Sequence, residues 1–253
     1  MMSKIKKLVF ILAVILTASV SFSGCSIFNT AATSQTNVIQ TSGSQTVGSQ
    51  TQATQQATAD PKIAEYDMAF QKLLPSRAGF KWKYFGIAEY GQTMKLISVV
   101  QNNDEATYTI TGQIDDMSGG GSGAPAGAFD ISVTYVIGGG ALLQDKKGDK
   151  MMDSDADRIE LLRGPLTLNN KWTQEVVKKD GKKITLECQI TDIKDDNGVK
   201  TYSVYYKDNG SNYYEKRQIK DGIGVVSFEK LWTDQDNKEY PISYSLATEM
   251  TGY

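Results

Sequence analysis

The chain has 253 residues, with 27 basic and 29 acidic side chains, no histidine and two cysteines. This slight excess of acidic charge argues against nucleic acid as the main partner, because such partners need clustered positive charge. The lack of histidine excludes histidine-dependent catalytic triads and histidine-bearing metal sites. The sequence also lacks nucleophile-elbow, P-loop and dinucleotide-binding patterns, so we expect a protein without enzymatic activity, cofactor or metal.

Residues 1–24 have the pattern of a secretory signal peptide. Three lysines precede an apolar run that ends near Val20, and its length of about 13 residues is short of the roughly 20 that cross a bilayer. An uncleaved anchor helix is the alternative. Removal of this leader leaves 24 basic and 29 acidic side chains, a net charge of −5.

The leader ends in Ser23-Gly24-Cys25, which resembles the bacterial lipobox. Phe22 departs from that pattern, because the family usually has Leu there. The resemblance implies a cut before Cys25 and attachment of diacylglycerol, with a further acyl chain such as palmitate, to this residue. The mature protein would then be anchored to the cell membrane by lipid on Cys25, on the extracytoplasmic face.

Residues 25–59 form the predicted linker. Between Ser26 and Ala59 there is no charged side chain, and Ser, Thr, Gln and Ala dominate. Such a segment buries too little apolar surface to offset its ordering entropy, so we expect it to be disordered. Its root-mean-square reach would be about 30–35 Å. The linker would hold the following domain away from the lipid.

Residues 60–253 are predicted to form one β-rich domain with an N-terminal helix. Asp60-Pro61 suits a helix start, and apolar residues then recur at helical spacing between Ile63 and Leu74. Most of the remaining chain alternates between apolar and polar residues and is interrupted by glycine-containing turns. We therefore expect a mainly β fold, an antiparallel sheet that is strongly curved or barrel-like.

An internal duplication is the second feature of this domain. At an offset of 90 residues the chain aligns with itself without a gap, and after four more residues Thr107–Ile110 meets Thr201–Val204. This indicates two repeats, at about 75–160 and 165–250. The identical pairs are Pro75/Pro165, Lys81/Lys171, Trp82/Trp172, Gly91/Gly181 and Leu96/Leu186.

Three local features refine this prediction. Residues 118–127 are nearly all Gly, Ser and Ala and should form a surface loop. Cys188 shares the inward phase of its strand with isoleucine and leucine residues, which predicts a small core side chain, with a reactive thiol as the alternative. Pro241 suits the start of an edge strand, because proline has no N–H to donate.

The chain resembles uncharacterised, exported lipoproteins of Gram-positive bacteria that contain two copies of a β-rich unit. The resemblance covers about residues 70–250 and implies the fold without implying any catalytic residue. The motifs that carry it are the Pro75 to Trp82 and Gly164-Pro165-Leu166 to Trp172 segments, the turn Asp180-Gly181-Lys182, and Tyr213-Tyr214 followed by Gly222-Ile223-Gly224-Val225-Val226.

Aromatic residues are the candidate ligand contacts. Trp82, Trp172 and Trp232 are expected to pack in the core, with a platform for sugar rings as the alternative. Adjacent residues of a strand point to opposite faces, so one tyrosine of each Tyr-Tyr pair is expected outside. The possible ligand platform comprises Tyr205, Tyr206, Tyr213 and Tyr214.

Asp153, Asp155 and Asp157 alternate along the chain and suggest a calcium loop. However, Arg158 and Gly164 stand where an EF-hand needs Gly and Glu. A solvated acidic turn is therefore the preferred interpretation.

Together these features predict a membrane-anchored extracytoplasmic lipoprotein with a non-catalytic binding role at the cell envelope and an unidentified envelope ligand. Two alternatives remain. One is a carrier of lipid or lipoprotein with an apolar pocket, in which the helix acts as a lid. The other is a module that binds cell-wall glycans.

We expect Cys25→Ala to block maturation, because the alanine has no thiol to receive lipid. The mutant should keep the length of the precursor and lose incorporation of radiolabelled palmitate. Cys188→Ala is the matched control and should mature normally. Release of the Cys25→Ala protein at the mature length would contradict the lipobox interpretation.

Overall fold

A computed structural model describes residues 60–102, 104–115, 125–147 and 151–253. The predicted leader, Cys25, the linker and residues 118–124 of the predicted glycine-rich loop lie outside these ranges. The elements are α1 (Pro61–Gln71), β1 (Lys81–Gly86), β2 (Gly91–Gln101), β3 (Glu105–Asp115), β4 (Asp130–Gly138), β5 (Ala141–Lys147), β6 (Arg158–Arg163), β7 (Lys171–Val177), β8 (Lys183–Asp196), β9 (Val199–Asp208), β10 (Tyr214–Lys220), β11 (Gly224–Thr233), β12 (Glu239–Leu246) and a 3-10 turn (Thr248–Met250).

The twelve strands form one antiparallel, nearly closed barrel-like sheet, as the sequence predicts. Its order is β6-β5-β4-β3-β2-β1-β12-β11-β10-β9-β8-β7. Each half of the chain is thus a six-stranded meander, and β1 joins the halves by pairing with β12. The strands bury alternate residues because one face of the sheet is turned inward. No helix among the described residues is long and apolar enough to span a membrane.

Helix α1 covers one mouth of the barrel. Asp60 caps it by accepting a hydrogen bond from the Lys62 N–H, and Pro61 occupies the first turn. The Tyr66 ring lies so close to Gly164 that a Cβ there would meet it at 2.4 Å. The Gly140 N–H donates to the Asp67 carboxylate at 2.9 Å. The helix is therefore attached to the turns at this mouth.

Large aromatic residues fill the interior and satisfy carbonyl groups at strand irregularities. The β5–β6 ladder shifts register beside Leu161, and the buried Tyr206 hydroxyl donates to the Leu161 carbonyl at 2.6 Å. The β10–β11 ladder shifts in the same way near Val225, whose carbonyl accepts from the Tyr84 hydroxyl at 2.7 Å. Buried carbonyls freed by bulges thus find side-chain partners.

The seam between β6 and β7 is closed mainly by side chains. The Gln174 carboxamide accepts from the Glu160 N–H at 2.8 Å and donates to the Glu160 carbonyl at 2.9 Å. Asn170 donates to the Arg163 carbonyl at 2.6 Å, and an isolated bridge joins Ala156 to Lys178. In the middle of the seam, the Gln174 side chain thus forms the two hydrogen bonds that a neighbouring strand's backbone would otherwise form.

The strand pairing shows where the residue offset between the two halves changes. Trp82 lies opposite Met94, whereas Trp172 lies opposite Cys188. Equivalent positions are therefore 90 residues apart in β1 and β7 and 94 apart in β2 and β8. The four-residue difference falls in the first hairpin of each half, earlier than the sequence alignment places it. The duplication itself stays a prediction.

The prediction that Pro241 begins an edge strand is wrong for the strand as a whole. Strand β12 is internal, since it pairs with both β11 and β1. However, β1 pairs only with its last residues, from Tyr244 to Leu246. Pro241 precedes that segment and faces Leu231 on β11 alone. Its missing N–H is therefore tolerated.

We expect Gln174→Leu to lower the free energy of unfolding by about 1–3 kcal/mol, because it leaves both backbone groups of Glu160 without a partner. Urea unfolding of the complete chain in a neutral detergent measures the change. Gln113→Leu is the control, because the Gln113 amide donates only to the exposed Asp130 carboxylate, and its effect should stay within about 0.5 kcal/mol. Equal effects of the two changes would contradict a special role for Gln174.

Candidate functional site

The loop of residues 151–157, called the plug loop below, closes the mouth opposite α1. Asp153 and Ser154 are buried, each with 1% exposure. Inward-facing side chains from three strands contact them. The contacting residues are Gln144 and Lys146 on β5, Glu215 and Arg217 on β10, and Lys230 on β11.

Arg217 connects the plug loop to the barrel wall. Its Nη2 donates to Asp153 Oδ1 at 2.6 Å, and its Nη1 pairs with the Glu215 carboxylate. The guanidinium also lies 4.7 Å from the Phe228 ring and 5.1 Å from the Tyr206 ring. All three ionic groups are fully buried, so their mutual pairing offsets a large desolvation penalty.

Burial and ion pairing have opposite effects on the pKa of Asp153. Burial alone would raise the pKa of Asp153, but the positive charges of Arg217 and Lys146 bring it below its usual range. Burial alone would lower the pKa of Arg217, but Glu215 and Asp153 raise it well above the ordinary value. The carboxylate and the guanidinium therefore both stay charged inside the barrel.

The other acidic residues of the plug loop have their own partners. Asp155 Oδ1 accepts from Lys230 at 2.7 Å, and its Oδ2 pairs with Lys178 at 3.1 Å. Asp157 is exposed and lies 3.8 Å from Lys146. Within the described residues, no group of three acidic or cysteine side chains could hold a metal ion. The prediction of a solvated acidic turn is wrong for Asp153, because Arg217 draws it into the core.

The tyrosine pairs divide between the two faces, as expected. Tyr206 and Tyr213 are buried, and the Tyr213 hydroxyl donates to Glu215 Oε1 at 2.6 Å. Tyr205 and Tyr214 lie on the outer face, with ring centroids 5.8 Å apart. The structure therefore brings only two of the four predicted platform residues together at the surface.

The tryptophan and cysteine predictions also have clear outcomes. Trp82 and Trp172 are buried core residues, as predicted. The prediction is wrong for Trp232, which is 45% exposed and pairs with Tyr240 on the neighbouring strand. Cys188 is buried as predicted, and its Sγ lies 3.3 Å from the Gln174 amide nitrogen. Burial raises the pKa of the Cys188 thiol to about 12, which excludes a thiolate nucleophile at neutral pH.

The strand register creates a shallow trough on the outer face of the second half, called the serine trough below. Consecutive pairs cross the sheet from β9 to β1, so short polar side chains form one row perpendicular to the strands. The row consists of Ser203, Gln218, Ser227 and Ser245, and it ends at Phe85.

The next row forms one wall of the serine trough. Tyr205 lies opposite Lys216, which lies opposite Glu229. Lys216 and Glu229 form an ion pair of 2.8 Å, so this wall carries no net charge. The groove has a volume of about 580 Å³, and Phe85 exposes 46% of its surface at the end of the row.

This arrangement provides hydroxyl and amide groups beside two partly exposed aromatic rings. Its side chains include neither a nucleophile with an adjacent base nor a pair of convergent carboxylates, and they can form hydrogen bonds to a bound ligand. Sequence reasoning identified Tyr205 and missed the serines and Phe85. Isolated serines in alternating strands carry no signal until the cross-strand register is known.

Comparisons add little to this geometry. No protein-family model and no curated protein matches the chain. Two solved structures match it, each over 96% of its own length. A protein of Parabacteroides distasonis described as a lipoprotein covers 69% of this chain, with 11% identity and a TM-score of 0.36. A protein of Bacteroides fragilis described as exported, with a YmcC-like fold, covers 68% of this chain, with 10% identity and a TM-score of 0.39. Similarities this weak support no conclusion about function.

We expect Arg217→Met to lower the free energy of unfolding by about 3–5 kcal/mol, because it removes the guanidinium that pairs directly with the buried Asp153 and Glu215 carboxylates. The neighbouring change Lys216→Met removes an exposed pair and should lower it by about 0–1 kcal/mol. Thermal or urea unfolding followed by tryptophan fluorescence measures both. A loss below 1 kcal/mol for Arg217→Met would show that the plug loop does not depend on this residue.

Proposed function

We propose that the protein is a membrane-anchored, extracytoplasmic lipoprotein that binds uncharged polysaccharide of the cell envelope without modifying it. The serine trough is the binding site. The observation that carries the proposal is the unbroken row from Ser203 to Ser245, with an aromatic ring at its wall and another at its end.

The chemistry of the trough matches that of a sugar chain. Serine hydroxyls and the Gln218 amide can both donate and accept hydrogen bonds, as sugar hydroxyls do. The rings of Tyr205 and Phe85 offer apolar faces for the C–H surface of a pyranose. Because the one ion pair at the wall is internally neutral, the trough favours a ligand without charge.

The proposed anchor fits the position of this site. Asp60, where the linker would enter, lies at the α1 mouth, whereas the serine trough is on the side of the barrel. A linker with a reach of about 30–35 Å would let this side contact material around the membrane surface. Membrane attachment would thus bring the binding surface to the envelope and leave that surface accessible to a ligand.

The packing of the interior gives less support to a lipid carrier. Arg217, Asp153 and several large aromatic side chains occupy the space that an acyl chain would need. Entry of lipid would have to separate the buried ion pairs, which is strongly unfavourable. We therefore prefer a ligand on the outer face.

The proposal predicts retardation of the complete chain in native gels that contain soluble cellulose, chitin or dextran derivatives. The double change Tyr205→Ala with Phe85→Ala should weaken the affinity for the retarding polymer by about tenfold, because aromatic contacts contribute most of such binding. Dissociation constants follow from retardation at increasing polymer concentration.

The control is the double change Trp232→Ala with Tyr240→Ala, which removes two exposed rings that lie outside the trough. It should leave the affinity unchanged within about twofold. If none of the polymers retards the protein, the proposed function is wrong. If only the control variant lost binding, the binding site would lie on the β11–β12 hairpin and not in the trough.

A further inference from the structure

The outer face of the first half carries a second row of polar side chains with a different charge. Successive strand pairs align five outward-facing residues from β1 to β5. We call this set the lysine row. Its members, in order across the sheet, are Lys81, Lys95, Thr111, Ser132 and Lys147.

The three lysines of this row are available for a ligand. Each is exposed, and none forms an ion pair with another described residue. Lys83, by contrast, lies in the next row and is engaged by the Asp115 carboxylate. In a chain whose expected mature charge is −5, three free cations along one line are a local concentration of positive charge.

Between the lysines the surface is concave and carries two hydroxyl groups. Thr111 and Ser132 line a groove of about 660 Å³, with Lys95 and Lys147 at its sides. Neighbouring strands are spaced by about 4.8 Å, so the row from β1 to β5 extends over roughly 19 Å. A linear ligand could therefore meet a cation at each end and hydroxyl donors in the middle.

Acidic side chains beside the row do not neutralise it. Asp130 lies in the groove and accepts a hydrogen bond from Gln113 at 2.9 Å. Asp145, two residues before Lys147, lies 3.9 Å from Arg158. Among the acidic side chains that the structure describes beside the row, Asp145 and Asp115 have basic partners of their own, which leaves Asp130 to offset one of the three free positive charges.

We propose that the lysine row binds a linear polyanion of phosphodiester or phosphate groups, a second envelope ligand distinct from the uncharged polysaccharide. Lysine ammonium groups and hydroxyl donors recognise phosphate oxygens. A flexible chain can follow a row that curves around a barrel. A flat anionic membrane would meet only part of it, which is why we assign a polymer rather than a lipid surface.

The test uses the complete chain in a neutral detergent and fluorescein-labelled inorganic polyphosphate, with binding followed by fluorescence anisotropy. The triple change Lys81→Gln, Lys95→Gln and Lys147→Gln should weaken binding by at least about tenfold at low salt, and the salt dependence of the remaining affinity should fall. Retardation by uncharged polysaccharide should be unchanged, which separates this proposal from the serine trough.

The control removes the same charge elsewhere, by the changes Lys171→Gln, Lys183→Gln and Lys194→Gln on the exposed surface of the second half. It should change the affinity by less than about twofold. Equal losses in the two triple variants would overturn the proposal in favour of non-specific attraction, and so would an absence of polyphosphate binding. Loss of binding to phosphatidylglycerol vesicles, with polyphosphate binding retained, would replace the polymer by a membrane.

Discussion

The width of a twelve-stranded barrel is the constraint on which the rest of this structure depends. Eight strands leave an interior that ordinary side chains can fill, and larger numbers leave progressively more space. This chain fills the extra space with large residues, among them Trp82, Tyr84, Tyr206 and Arg217, which are almost completely buried. It then closes the two mouths with α1 and the plug loop. The described part of the interior is thereby used for packing.

The buried charges follow from the same constraint. The plug loop brings backbone and carboxylate groups into the interior, and these need partners because unsatisfied polar groups are strongly unfavourable there. Arg217 can serve Asp153 and Glu215 at once, since its guanidinium presents several donors in one plane. A hydrophobic replacement of similar size could pack in the wall, but it could not hold this loop. We interpret the network as a device that fixes the loop in one position, rather than as a site of chemistry.

Sequence reasoning predicted the features that depend on near neighbours. The Asp60-Pro61 start of α1, the inward phase of Cys188 and the burial of Trp82 and Trp172 all follow from local spacing. The features it missed depend on residues far apart in the chain. Asp153 resembles a solvated acid until Arg217, 64 positions later, is placed beside it. The serine trough likewise appears only when Ser203 and Ser245 are brought into one row, and alternation along a single strand cannot specify that register.

Because large side chains fill the interior, we assign recognition to the outer face, where the two halves differ. The second half presents a row of serines and Gln218 whose neighbouring charges cancel, whereas the first half presents lysines that keep their charge. Both rows run across the strands, so each is assembled from side chains that are fixed by backbone pairing and need little ordering on binding. Weak contacts at two such rows would add when both ligands belong to one envelope layer. In the proposed functions, the two halves differ in specificity through their outward residues alone, while their inward residues stay constrained by the core.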